Sequence, residues 1–525
     1  MQKHKISPLA LVLIIVVLAL GSLYFFFGTG KSQDEAANAP VITSIEELND
    51  SSRTVGAITG MSCMFAVEEN LPKATIANMN DALSGYLSVQ EGKLDAFVYD
   101  RVQMNLAIIH GQKGVRILDE NLGQDYEIAA GLSPVSKIPD LENKINQFIA
   151  ECRANGTLQE MYDRWASGRE EMPDLPPVQN PGLKLVIGTS GTVAPYSYYK
   201  GNELYGSDIE FGRRFAAWLG AECEFKVYDY GAIVPAALTG DVDIIVANLN
   251  VTPERKEKMH FSDTLCYMQN GVMVRDTSAT GTGGSFFDSL ANSFESTFIK
   301  EDRWKLFVDG IGMTMFITVA ASALGTVLGF VGFLGCRKGN PIANKMADFL
   351  IWLVQGMPTV VLLMVLYYIV FAESHLASEW VAVIAFTLTF GASVFSILRT
   401  GVGAVDSGQV EASYALGFSD SATFFKVVLP QAAPHIFPGY KTAIVSLIKA
   451  TAIVGYIAVQ DLTKVGDIIR SRTYEAFFPL IAVAILYFIL AGILTTIVRR
   501  IQISWDPRTR SREDILRGID VHDRD

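Results

Sequence analysis

Lys449 is an ammonium inside an apolar run, residues 436–458. A cation placed there either faces a cavity or partner within a helix bundle, or snorkels to the membrane surface from an offset span. A carboxylate, Glu411, opens EASYALGFSDSATFFKVVLPQA (411–432), with Gly417 six residues on and Pro430 near its close. The stretch is amphipathic although its neighbours are apolar enough to cross a bilayer. On periodicity alone it reads as a helix lying on the bilayer surface or as a docking element. Five cysteines (Cys63, Cys152, Cys223, Cys266, Cys336) show neither CxxC nor zinc-ligand spacing. They read as buried thiols, with a disulfide among the first four open to an oxidising compartment. No metal or cofactor site is expected. No GxxxxGK[ST] phosphate-cradling loop occurs.

The elements that position these groups follow from hydropathy. Five apolar runs, about 308–335, 347–371, 379–398, 436–458 and 477–498, are each long enough to span. Before them, MQKHK precedes PLALVLIIVVLALGSLYFFF, the pattern of an N-in membrane anchor, with a cleaved signal peptide as the rival. If that helix exits the cytoplasm, residues 31–300 lie outside. CRKGNPIANK, 399–435 and VRRIQISWDPRTRSR then lie inside, where their Lys and Arg belong. The outside loop DLTKVGDIIRSRTYEA carries three basic residues and departs from that rule. The net charge of −12 opposes nucleic-acid binding. Residues 41–276 alternate short apolar strands (RTVGAI, DAFVY, LKLVIG, VDIIVA) with helical stretches such as DLENKINQFIAECRANG, a soluble α/β pattern.

The wording of GQVEASYALGFSDSATFFKVVLPQA resembles the coupling-helix signature of bacterial ABC importer permeases, a Glu-Ala pair followed by Gly and ending in an apolar-Leu-Pro. Glu411, Ala412, Gly417, Leu429 and Pro430 match it, and Ser413 departs from the commonest alanine. RTGVGAVDSGQ and SLIKATAIVGYIAVQDLT are similar to the polar-amino-acid uptake branch. The resemblance covers roughly 305–500. It implies an ATPase partner in two copies, pairing of two copies of this chain around a path, a bacterial inner-membrane location and an ATP-driven import cycle. Lys449 is a candidate for that path. Gln355, Thr359, Ser393 and Ser446 either line it or join helices.

Residues 182–220 and 237–263 resemble the first lobe of a type II solute-binding protein for polar amino acids, and the block from ITSIEELNDSSRTVGAITGMS to YDRW resembles its second lobe with a return helix. The order is inverted. Either two domains each lost half, or one domain is permuted, its usual end joined to its usual start through 167–182; the complementary halves favour the second. The expected fold is thus a permuted α/β two-lobed domain plus a five-helix permease with an N-terminal anchor. The expected division is 1–30 anchor or signal, 31–172 second lobe, 173–182 linker, 183–276 first lobe, 277–304 linker, 305–500 permease with coupling helix 408–432, and 501–525 tail.

The resemblance assigns site residues one at a time. Arg255 in NVTPER matches the arginine that forks the ligand carboxylate. Taken alone, it also reads as a solvated helix residue. Asp100, closing LDAFVYD, matches the acid that takes the ammonium. Asn250 and the backbone near Asn248 stand beside that arginine. Ser62 matches a Thr/Ser that meets the carboxylate, and Tyr230 an aromatic wall. Asn250 and Ser62 also read as turn or cap residues, and Tyr230 as core. Ser190 replaces the acid of basic-amino-acid binders, and Val193 their stacking aromatic, with Tyr196 three positions on. A neutral or acidic polar amino acid is therefore favoured as ligand. The rival functions are an amino-acid-gated channel or sensor, which needs a re-entrant segment within the binding domain, and a cell-wall enzyme, which needs a catalytic domain.

Overall fold

The structure is a computed structural model that describes residues 42–505 apart from 60, 80, 177–179, 181, 277–285, 338, 373, 375 and 476. The expected anchor (1–30), most of the tail and part of both linkers fall outside the described residues.

Two α/β lobes are built on two five-stranded sheets. In one, the order is Thr75–Met79, Thr54–Ile58, Ala96–Asp100, Asn270–Arg275, Val115–Asn121. The first three strands are parallel, and Asn270–Arg275 inserts antiparallel between the last two. In the other, the order is Glu222–Val227, Lys184–Thr189, Ile244–Ile245, Gly131–Leu132, His260–Phe261. Here Gly131–Leu132 runs antiparallel to both neighbours. A ladder of Tyr126–Ile128 with Cys266–Met268 joins the lobes.

Sheet membership therefore departs from the boundary expected at 173–182. Residues 131–166 pack in the first lobe, where Phe148, Trp165, Phe211 and Phe215 share one core. The strand Asn270–Arg275 belongs to the second lobe, because Val272, Met273 and Val274 are apolar on both faces and fully buried there. The chain enters and leaves through the second lobe at one place. Arg275 pairs with Val115, and the neighbouring Arg116 donates to the carbonyl of Ile42. Such adjacency of ends is what a single permuted domain requires.

Among the described residues, four helices are long and apolar enough to cross a bilayer, Trp304–Arg337, Ser378–Gly403, Asp420–Ile457 and Phe478–Ile503. The second apolar run is not one straight span. It breaks into Pro341–Gln355 and Thr359–Val370, bent by 101°, at Gly356-Met357-Pro358, where proline has no N–H to continue the ladder. The helices Trp304–Arg337 and Ser378–Gly403 meet closely through small residues. A Cβ on Gly329 would come within 2.5 Å of the Gly391 carbonyl oxygen, an approach typical of packing between spans.

Candidate ligand cleft and coupling surface

Asp100 ends the strand Ala96–Asp100 and caps the helix Arg101–Ile109, its Oδ1 accepting the Gln103 N–H at 2.9 Å. The hinge residue Tyr126 donates its hydroxyl to Oδ2 at 2.8 Å. Tyr196, from the first lobe, donates across the cleft to the same carboxylate at 3.1 and 3.2 Å. Asp100 is buried. Burial pushes its carboxyl up, and the bonds from Gln103, Tyr126 and Tyr196 pull it back only in part.

On the facing wall, Thr252 caps a short helix, Pro253–Lys256, which carries Arg255. The guanidinium donates to the Asn250 carbonyl at 2.9 Å and to its Oδ1. Burial raises the Tyr230 hydroxyl, opposed by the charge and hydrogen bond of Arg255. Ser62, Asp100, Tyr230, Asn248 and Asn250 line one cleft with Val193, Met61, Cys63, Tyr99, Gln103, Tyr126 and Ala247. Arg255 and Tyr196 join it through Asn250 and Asp100. Ser190 does not line it; its hydroxyl is buried and, among the described residues, unpartnered. Tyr126 and Gln103 were missed from sequence. Gln103, three residues after the capping Asp100, had a cue in helix-start spacing; Tyr126 had none, because only the crossing strand brings it there. The free volume, about 20 Å³, holds about one water. The Tyr196–Asp100 bond closes the cleft between the lobes.

The first lobe is docked on one end of the membrane helices. Lys464, buried in the helix Leu462–Thr473, pairs with Asp229 at 2.5 Å and bonds the Tyr228 carbonyl. Arg472 is 2.8 Å from both Glu170 and Glu301, and its guanidinium lies 4.9 Å over the Tyr198 ring. Tyr367 and Tyr228 both bond Asp241, and Gln460 bonds Tyr199. A continuous apolar core runs from Tyr228, Ala232 and Ala236 into Leu306, Tyr368, Val454 and Val465.

The stretch 411–430 lies at the opposite end. Trp304–Arg337 is 34 residues long, about 50 Å. The docked lobe is beside its start, while at its finish Arg337 pairs with Asp420 at 2.5 Å and covers the Phe424 ring. A short helix, Ser407–Ala415, is followed by Gly417 at φ 84° and by Asp420–Thr423. Glu411, Ala412, Gly417 and Pro430 are exposed and Leu429 half-buried. Tyr414, Leu416, Phe418 and Phe425 present an exposed apolar face. Ser413 is buried and bonds the Gln409 carbonyl at 2.7 Å, which accounts for a hydroxyl where alanine was expected. Lys449 stands exposed in the last turn of Leu429–Ala450. Ser393 bonds its own helix at Thr389.

Comparison with known proteins places both halves. Residues 302–510 match the model of the binding-protein-dependent transport system inner membrane component. Residues 185–361 match that of bacterial extracellular solute-binding proteins, family 3. The chain is 34% identical over 200 residues to a putative glutamine transport system permease protein of Rickettsia bellii, covering 37% of this chain and 90% of that protein. It is 32% identical over 199 residues to the arginine transport system permease protein of Bacillus subtilis, covering 37% and 90%. The glutamine transport system permease protein of Escherichia coli is 31% identical over 200 residues, covering 38% and 91%. A solved amino acid ABC transporter with histidines aligns at 27% identity and TM-score 0.36, covering 42% of this chain and all of that one. The chain belongs to the inner membrane components of binding-protein-dependent, amino-acid ABC importers, and carries a family 3 solute-binding domain on the same polypeptide.

Proposed function

We propose that this chain both captures a polar amino acid and conducts it, while a separate ATPase drives the cycle. The two lobes form one permuted binding domain facing outside. Arg255, with Asn250 and Ser62, takes the ligand carboxylate. Asp100 takes the ammonium in place of a tyrosine hydroxyl, and Tyr230 walls the side chain. The relatives named for glutamine and arginine support an amino acid as cargo. Two copies of the chain pair around the path in a bacterial inner membrane, because one copy supplies half of the helices such a path needs. Two ATPase subunits grip the stretch 411–430 on the cytoplasmic side. Their approach on binding ATP turns the spans from outward to inward access. The ligand biases this cycle only through its different affinity for the two states.

The observation that carries this reading is the placement of two surfaces on one set of helices. A cleft lined by Asp100, Asn248 and Asn250 is docked at one end, and the Glu411 segment is exposed at the other. The test is reconstitution of the full chain with and without a cognate ATPase. Uphill uptake of an amino acid is expected only with the ATPase and ATP. Downhill movement by the chain alone would favour a gated channel instead.

A further inference from the structure

The first turn of the helix Ser207–Leu219 holds a carboxylate that no role above uses. Asp208 is 1% exposed, and its Oδ2 accepts the backbone N–H of Asn248 at 2.7 Å. Asn248 stands at φ 49°, a left-handed conformation that side-chain-bearing residues adopt only when something holds it, though asparagine tolerates it best. It lines the cleft between Ala247 and Asn250. Its Oδ1 is buried and, among the described residues, unpartnered. Two residues on, Asn250 takes the Arg255 guanidinium. Backbone bonds hold the flanks of this turn, Ala129 N–H to the Leu249 carbonyl at 3.2 Å and Val251 N–H to the Glu127 carbonyl at 2.9 Å, while the Asn248 N–H at its left-handed apex is anchored from behind by the buried Asp208 carboxylate.

We infer that Asp208 is a positioning residue for ligand capture, its ionised carboxylate clamping the Asn248 turn so that residues 247–250 and Arg255 meet the ligand in one geometry. The inference rests on the reading of this cleft as the capture site. Asp208 touches no ligand and acts through Asn248. Burial pushes its carboxyl up to about 7, opposed by the Asn248 N–H. The titratable groups around it are Tyr162, Tyr230 and Cys266, all raised by burial and so neutral near that pH. As pH falls through about 7 the carboxylate gains a proton, becomes a weaker acceptor and loosens the turn. Asp100 across the cleft is also raised by burial.

The full chain in lipid nanodiscs is titrated calorimetrically with each of the twenty common L-amino acids between pH 5.5 and 8.5. The expected result is a ligand whose affinity falls about tenfold or more towards the acid end. Asp208→Asn should bind about tenfold more weakly at pH 8.5 and lose the part of the pH dependence centred near 7. Its thermal midpoint should not fall, since a buried charge is removed. Asn248→Ala, strained at the same φ, should weaken binding by itself. The double variant should be no weaker than the worse single, because both act on one turn. Should Asp208→Asn fail to fold, Asn248→Ala carries the test, and its unchanged affinity overturns the inference. Wild-type affinity and an unchanged pH profile in Asp208→Asn overturn it equally. If the wild-type chain binds none of the amino acids at any pH, the capture reading falls and takes the inference with it.

Discussion

At the scale of single residues, the cleft is a set of charges already committed to protein partners. Asp100 accepts from Gln103, Tyr126 and Tyr196, and Arg255 donates to Asn250. Arg255→Ala removes the fork for a carboxylate and leaves Asn250 Oδ1 without its donor. It should weaken ligand binding at least a hundredfold, about 3 kcal/mol, by calorimetry. Asp100→Ala should do the same and also lower the thermal midpoint, since it uncaps Arg101–Ile109 and leaves the Tyr126 and Tyr196 hydroxyls without their acceptor. Tyr196→Phe keeps the ring and deletes one bond across the closed cleft. Stopped-flow release should then speed about fivefold, near 1 kcal/mol. Asp100 and Asn250 were singled out by their local wording, and the structure brings both to one cleft, with Arg255 bonded to Asn250. Tyr126 was not, since it reaches Asp100 only through the pairing of Tyr126–Ile128 with Cys266–Met268, a contact 140 residues apart in sequence. Nothing near Tyr126 announces such a long-range partner.

At the scale of elements, the helix Leu462–Thr473 explains an anomaly. Its three basic residues sit on the side where few are expected, yet Lys464, Arg470 and Arg472 are each paired, with Asp229, Asp467, and Glu170 with Glu301. A count of basic residues in one loop cannot see acids contributed from elsewhere, Asp229 at 235 residues from Lys464 and Glu170 at 302 from Arg472. The broken second run was hidden for a related reason, because a window of hydropathy averages over Gly356 and Pro358. The docking pairs also titrate. Burial raises Glu170 and Glu301, but Arg472 outweighs it and holds both carboxyls below their usual value. A carboxyl lower in the docked state than free favours docking above its free value, near 4.5, and loses that contribution as pH falls through the lowered one. Docking of the first lobe should therefore hold at pH 7 and weaken below about pH 4.5, as read by spin-label distances between residues 202 and 309. Arg472→Met should bring the same loosening at neutral pH. At the far end, Gly417 meets no atom that a Cβ would touch, but its φ of 84° remains. Gly417→Val should thus distort the coupling turn by conformation alone, costing about 1–2 kcal/mol locally, and lower ATPase stimulation without altering ligand affinity.

At the scale of the whole molecule, the inverted order of the lobes acquires a mechanical sense. Both connections to the rest of the chain leave the second lobe beside Val115 and Arg116, while the ion pairs and the shared core hold the first lobe to the helices. The hinge strands then separate a docked half from a tethered half. The second lobe touches the membrane half more lightly, through Tyr474, whose ring stacks on that of His110 at 5.8 Å. Capture and delivery are thereby linked in one polypeptide, and the remaining link is the Glu411 surface, about 50 Å away along Trp304–Arg337. The two ends can be uncoupled separately. Glu411→Ala should leave the calorimetric affinity of the full chain unchanged, release the ATPase subunit from detergent pull-downs and cut ATP-driven uptake at least tenfold. Lys464→Ala should instead keep the ATPase bound and lower uptake, because the half-buried Asp229 loses its cation and the first lobe its anchor. Normal transport in Glu411→Ala would mean that the motor grips the chain elsewhere.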